Sequence, residues 1–259
     1  MSPPRQRFNS VRPVVSTNAI PDASLNHSAV PVPASRTDAM RLPRALWQFT
    51  RPHTLIGSAL SIPALYLFAA PTPGHLSVAQ LPCILFALAP SLLVNIYIVG
   101  LNQITDVEID RVNKPNLPLA AGSLSMQEAK VFAALCLAGG LIVACGFPSA
   151  AFATLPLRQT LLASVIIGTA YSLDPIRLKR FPLFAALCIL TVRGAVVNVG
   201  FFAHARMACF GASVPNTFML PFESLRCGLA TLFFAIYGSV IALMKVSAVT
   251  TARAMRWKR

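Results

Sequence analysis

The residues best placed to do chemistry lie in one short stretch. The chain of 259 residues carries eight acids, and three of them, Asp106, Glu108 and Asp110, fall within five positions. They follow an apolar run, Leu81 to Gly100, that is long enough to cross a bilayer. Asn102, Asp106 and Asp110 are spaced i, i+4, i+8, so a continuous helix would present all three on one face. Two carboxylates and an amide oxygen form a hard donor set suited to Mg²⁺, which completes its octahedron with water and substrate phosphates. Arg111 and Lys114 come next and are candidates to hold the rest of a diphosphate. A plainer reading has these acids paired with Arg111 and Lys114 in a polar loop. The Asn one turn earlier, the membrane boundary and the scarcity of other acids favour a ligand site, because ionisable groups at membrane depth are costly. Glu108 lies off the shared face and is left out.

The elements that must position this stretch are membrane helices. The chain is 55% hydrophobic and 12% charged, with mean hydropathy +0.64, the composition of an all-α polytopic membrane protein. Its net charge of +14 is spread over loops and tails. No basic stripe carries interleaved aromatics, so a nucleic-acid partner is not expected. Six dispersed Cys and four dispersed His show neither a disulfide framework nor a zinc pattern.

Residues 1–45 are rich in Ser, Pro, Ala, Val and Arg, with two acids and no apolar core segment. This composition fits an organelle transit peptide or an ordinary disordered tail. Six spans are expected over the bundle at 46–245, namely 55–70, 81–100, 129–147, 157–173, 183–203 and 228–244. A basic tail, 246–259, follows. Threading these spans puts most Lys and Arg on one side and only Arg158, Arg206 and Arg226 on the other. The Asn102–Asp110 stretch and the basic loop with Tyr171, Arg177, Lys179 and Arg180 then share the basic side, so two distant loops can build one site. Asp174 before Pro175 reads as turn chemistry. Arg193, near the middle of the fifth span, either bonds within the helix packing or faces a cavity.

The string Gly100 to Asp110, followed by Arg111-Val112-Asn113-Lys114-Pro115 and Leu117-Pro118-Leu119-Ala120-Ala121-Gly122, resembles the first signature of the UbiA-type membrane prenyltransferases. Its detail resembles the branch that prenylates homogentisate in plastids. Arg51-Pro52-His53-Thr54, Tyr171-Ser172, Arg177 to Pro182 and Thr191-Val192-Arg193-Gly194 with Asn198 extend the likeness. The last two strings are similar to homogentisate solanesyltransferases, with phytyltransferases next.

The resemblance implies a helical bundle, usually of nine helices, around a cavity open to lipid in a plastid membrane. It implies Mg²⁺-dependent prenyl transfer from a prenyl diphosphate to homogentisate, in plastoquinone or tocopherol synthesis. Asp106 and Asp110 would be the metal ligands, with Asn102 positioning them. Arg51, Arg111, Lys114 and Lys179 would contact the diphosphate, with Tyr171 nearby. The family also carries a second Asp-rich motif after its sixth span, whereas no acid follows Glu223 here. The resemblance therefore implies a chain cut short before that motif and slow in turnover. The rival functions are an inactive relative and a transporter, and the internal repeat expected of many transporters is absent.

Overall fold

In a computed structural model, the described residues are 40–145, 152–214 and, with gaps, 216–240. They are helical, with no strand among them. Helix α1 (Arg41–Phe49) leads into α2 (Pro52–Ala69), and α3 (Leu81–Thr105) runs back to the acidic stretch, which continues as α4 (Val107–Asn113). Then come α5 (Met126–Cys145), α6 (Leu155–Ser172), α7 (Pro182–Leu190), a π-helical segment (Thr191–Val196), α8 (Val197–Ala208) and the single turn α9 (Leu220–Glu223). A further apolar helix covers Leu225–Tyr237.

Four of these helices are long and apolar enough to cross a membrane: Pro52–Ala69, Val78–Thr105, Met126–Cys145 and Pro182–Ala208. Helix α6 is 18 residues long but carries more polar groups. Helices stand in order at the six expected positions, four of them of membrane length, so six is an approximate count; residues 146–147 of the third expected span and 241–244 of the sixth lie outside the described residues. Residues 1–39 and 241–259 lie outside the described residues, and with them the basic tail and most of the expected transit segment. The last part of that segment is helical: α1 starts at Arg41 and buries Ala45.

Helix contacts follow membrane rules, in which small residues let backbones approach. Gly200 of α8 lies so close to Thr160 of α6 that any Cβ there would collide with the threonine side chain. Gly100 of α3 does the same for α1, since a Cβ would stand 2.8 Å from the Phe49 ring. Phe49 is fully buried and meets Phe132 edge-on at 6.1 Å. With Ala45, Val107, Leu119, Leu124 and Ala129 it forms a small core beneath the acidic stretch.

The basic residues of the two ends do different work. Each arginine assigned by threading to the acid-poor end bonds carbonyls at or just beyond a helix C-terminus. Arg158 Nε donates to Ala144 O at 3.3 Å, Arg206 Nη1 to Ala69 O at 3.5 Å, and Arg226 Nη1 to Ala70 O and Pro71 O. These carbonyls are orphaned where α2 and α5 stop, and the cations also complement the helix dipoles. The three exceptions to the charge bias thus have structural partners.

The π-helical turn frees backbone carbonyls in the fifth span. Asn198, almost fully buried, donates from Nδ2 to Arg193 O at 2.7 Å and Gly194 O at 2.9 Å. The Arg193 side chain is exposed and makes no ion pair among the described residues. Of the two readings of Arg193, its backbone has the polar partner and its side chain lies on the protein surface.

Threading and fold agree that Lys114 and Lys179 emerge at one end and the Pro73–Gln80 segment at the other. Single cysteines introduced at Lys114 and Lys179 should react with an impermeant maleimide from one side of a vesicle, and one at Val78 from the opposite side. Labelling of the first two from opposite sides would contradict a shared site.

Candidate active site

The acidic stretch is not one continuous helix. Thr105 ends α3, Asp106 leaves helical geometry at φ −114° and ψ 14°, and α4 begins at Val107. This corrects the expectation of an unbroken i, i+4, i+8 face. The helix-favouring pattern runs through Ile104, Thr105 and Asp106, two β-branched residues and an aspartate whose side chain competes for backbone bonds, so propensity is weak here. The break is small, and Asp110 N still donates to Asp106 O at 2.7 Å. Asp110 is 7% exposed, whereas Glu108 points outward.

The loop after α6 closes over this break. Lys179 Nζ donates to Asn102 Oδ1, Thr105 Oγ1 and Asp106 Oδ2, each at 2.8 Å. An ammonium group has three hydrogens, and all three are engaged. Arg177 Nη2 donates to Asp106 Oδ1 at 2.9 Å and to Thr105 O at 3.2 Å. Both oxygens of Asp106 are therefore held by cations about 70 positions away in sequence. The three side chains are largely buried, at 17% exposure for Arg177, 11% for Lys179 and 19% for Asp106.

The loop is itself tied by ion pairs. Asp174 bonds Arg180 Nη2 at 2.8 Å and Arg177 Nη1 at 3.4 Å, and the Asp174–Pro175 bond is cis. The turn reading of Asp174 stands, with the addition that its carboxylate steers Arg177. Arg177 adopts φ 34°, a left-handed conformation unusual for a side chain of this kind. The other non-glycine residue with positive φ among those described is Arg51, at 52°. Strained backbone of this type tends to collect at functional sites.

Of the residues expected from sequence, Asn102, Asp106 and Lys179 meet directly. Asp110 joins them through its charge, which acts on Lys179, and it accepts from Lys114 Nζ at 3.2 Å. Tyr171 is half-buried and feels the Asp106 charge. Arg111 turns away: it pairs with Glu108 at 2.8 Å on the exposed side of α4. The plainer reading of the stretch is thus partly realised, with Lys114 on Asp110 and Arg111 taken by Glu108. Arg51 stands at the α1–α2 junction, which Gln103 Nε2 anchors by donating to Phe49 O at 2.8 Å. Its Nε is buried without a hydrogen-bond partner, and it makes no ion pair among the described residues. Arg177 and Thr105 are the residues the sequence reading missed. The available signal was the Arg177-x-Lys179 spacing in a loop already placed on the correct side.

The electrostatic balance of this cluster is positive. Lys114, Arg177, Lys179 and Arg180 stand against Asp106, Asp110 and Asp174. Burial pulls the Lys179 pKa below the usual lysine value, while its bond to Asp106 opposes the shift. An excess of partly desolvated cations around hard oxygen donors suits a polyanion better than a bare metal ion. No group of three His, Cys, Asp or Glu able to hold a metal is found among the described residues.

Residues 60–254 match the UbiA prenyltransferase family. The chain belongs to that family. Curated relatives agree. A homogentisate phytyltransferase of Synechocystis sp. is 46% identical over 78% of this chain and 62% of its own length. A chloroplastic homogentisate solanesyltransferase of Arabidopsis thaliana is 41% identical over 79% of this chain and 50% of its own. The Arabidopsis homogentisate phytyltransferase 1 is 39% identical, with 49% of its length covered. This UbiA-family chain thus spans roughly half to three-fifths of the curated relatives it matches. Among solved structures, a UbiA homolog from Archaeoglobus fulgidus bound to GPP and Mg²⁺ is similar at 21% identity. The match covers 80% of this chain and 75% of that one, with a TM-score of 0.49.

Two outcomes follow from the geometry. Asp106→Asn leaves two buried cations short of a counter-charge and should lower stability by about 3 kcal/mol. Adding Lys179→Met should recover part of that loss in a denaturation experiment, and strictly additive losses would contradict the pairing. The second concerns inorganic diphosphate as a probe. A lysine is cationic below its pKa and loses that charge above it, so a lowered pKa moves the loss to lower pH. Binding should therefore fall at a pH below the ordinary lysine range, and Lys179→Arg should hold it to higher pH. An unchanged alkaline limb in that variant would remove Lys179 from the site.

Proposed function

We propose that this chain binds a prenyl diphosphate at the Asn102–Asp106–Asp110 stretch and transfers its prenyl group to homogentisate in a plastid membrane. The observation that carries the reading is the clamp of Arg177 and Lys179 on Asp106. It gathers hard oxygen donors and cations where a membrane-length apolar helix ends. That is the chemistry needed by a charged head on a long isoprenoid. The relatives at 46% and 41% identity, named as homogentisate phytyl- and solanesyltransferases, support the substrate pair. Chloroplastic relatives and the Arg-rich, acid-poor start of the chain support the plastid membrane.

Mg²⁺ fits the residues present. Asp106, Asp110 and the Asn102 amide oxygen are all hard donors, and Asp110 has a second oxygen beyond the one bonded to Lys114. Asp106 and Asn102 are engaged by cations, so these donors become available when an anion draws those cations away. Asp106 and Asp110 would hold the ion, with Asn102 beside them. When bound, Mg²⁺ would supply charge that stabilises the leaving diphosphate.

The chain's own residues do the remainder. Lys179 and Arg177 exchange their bonds to Asp106 for bonds to phosphate oxygens, so positive charge is already in place as the allylic C–O bond weakens. Their buried position excludes water that would screen them. Lys114, at the exposed edge, joins from the Asp110 side. Arg51, with its unsatisfied Nε, can contribute a further donor once an anion is present. The apolar span beneath receives the isoprenoid. The electron-rich ring of homogentisate then captures the allylic cation; the substituted ring carbon gives up its proton, and the side-chain carboxylate leaves as CO₂ with a proton taking its place on the methylene carbon.

The test contrasts two acids of the same stretch in protein reconstituted into lipid vesicles. Asp110→Asn should lower Mg²⁺-dependent retention of a prenyl diphosphate on the order of tenfold or more, the scale for disturbing a metal's ligands. Glu108→Gln should change it little, because Glu108 is exposed and engaged with Arg111. Equal losses in the two variants would contradict the assignment.

A further inference from the structure

At the end of the bundle away from the acidic stretch, a groove runs between the close of α2, the segment after it and the start of the apolar helix Leu225–Tyr237. Its cavity of about 340 Å³ is walled by Leu67, Phe68, Leu76 and Leu229, with Thr72 and Arg226 as its polar members. That volume falls at the lower end of the range for small-molecule sites. Leu67, Phe68 and Leu229 are each more than half exposed.

Arg226 supplies the charge, and its bonds within the protein use less than half of its donors. Nη1 donates to Ala70 O and Pro71 O, at the end of α2. A guanidinium carries five N–H groups, two of them on Nη1. The other three, on Nε and Nη2, make no hydrogen bond among the described residues. They form one edge of a planar fork, and that edge matches two oxygens of an oxyanion. The negative end of the α2 dipole meets Nη1, so the cation stands between it and an anion on the free edge. Glu223, three positions earlier, makes no ion pair among the described residues and does not fill that edge. Arg158 and Arg206, the other cations threaded to this end, are half-buried and do not line the groove.

We propose that this groove binds one anionic glycerolipid from the leaflet at the acid-poor end. Its headgroup phosphate or sulfonate takes the Nε–Nη2 edge of Arg226, and the first part of one acyl chain lies along Leu67, Phe68 and Leu229. The order of groups is that of a lipid. Arg226 bonds carbonyls just past the last turn of α2, where the apolar span gives way to headgroups. Leu67 and Phe68 belong to that last turn. Leu229 stands three residues beyond Arg226 on the same helix face, one turn further into the apolar helix. A small soluble anion would leave the apolar wall bare, and a lipid without net charge would leave the guanidinium uncompensated. This site is independent of the prenyl-transfer reading.

The experiment uses the full chain in phosphatidylcholine vesicles holding a minor share of phosphatidylglycerol, and reads by native mass spectrometry the lipid kept after extraction. The expected result is one phosphatidylglycerol per chain, kept in preference to phosphatidylcholine. Arg226→Gln should lower that retention on the order of tenfold, the scale for losing a charge-assisted contact. Leu229→Trp, which fills the groove and keeps the guanidinium, should lower it as well. Arg206→Gln, which also removes a cation bonded at the end of α2, should leave it unchanged. Soluble glycerol 3-phosphate should not displace the lipid. A wild-type chain that keeps no phosphatidylglycerol, or keeps phosphatidylcholine equally well, would overturn the proposal. So would full retention in either groove variant, or an equal loss in Arg206→Gln. Displacement by glycerol 3-phosphate would overturn it too, by marking an anion site without a lipid groove.

Discussion

The candidate active site depends on one interaction, the pair of ion bridges from Arg177 and Lys179 to the two oxygens of Asp106. A carboxylate at the end of a membrane helix is costly unless its charge is compensated, and two buried cations are costly without it. Each side of the pair makes the other tolerable. Their bond also fixes the loop after α6 against the break between α3 and α4, elements about 70 positions apart in sequence. The pairing is thus structural when the protein is alone. It also stores the charges that a diphosphate requires.

This arrangement explains why the donors look closed to a metal ion. Asn102 Oδ1 and both oxygens of Asp106 already accept from Lys179 or Arg177. A bare dication would compete with these bonds and meet a surplus of positive charge. A polyanion meets the reverse situation and gives the cations an alternative partner. Anion and metal are then linked ligands of one cluster, each improving the other's binding. The strained backbones of Arg51 and Arg177 fit the same account, as guanidinium groups held in place before a ligand arrives.

Much of this was legible in the sequence, for identifiable reasons. The apolar runs are long, so the helices fall where expected. The i, i+4, i+8 spacing of Asn102, Asp106 and Asp110 is a strong signal, and Asn102 and Asp106 do meet Lys179. The charge bias put Lys179 on the correct side. The break at Asp106 was hidden because no Gly or Pro marks it, and it depends on tertiary bonds from Lys179 and Arg177. Arg177 was missed because a basic loop does not reveal which cation turns inward; that choice is made by a left-handed backbone and the Asp174 carboxylate. Arg111 looked equivalent to Lys114 in sequence, but three residues from Glu108 it has a nearer partner on the solvent side of α4.

The most direct measurement of the central claim is Mg²⁺ affinity with and without inorganic diphosphate, by calorimetry on the protein in lipid. The account predicts weak binding of Mg²⁺ alone and a marked gain when diphosphate is present. It also predicts that Lys179→Gln, which releases Asn102 and one oxygen of Asp106, strengthens binding of Mg²⁺ alone and shrinks the gain. Mg²⁺ binding that is equally tight with and without diphosphate, and unaffected by Lys179→Gln, would contradict it.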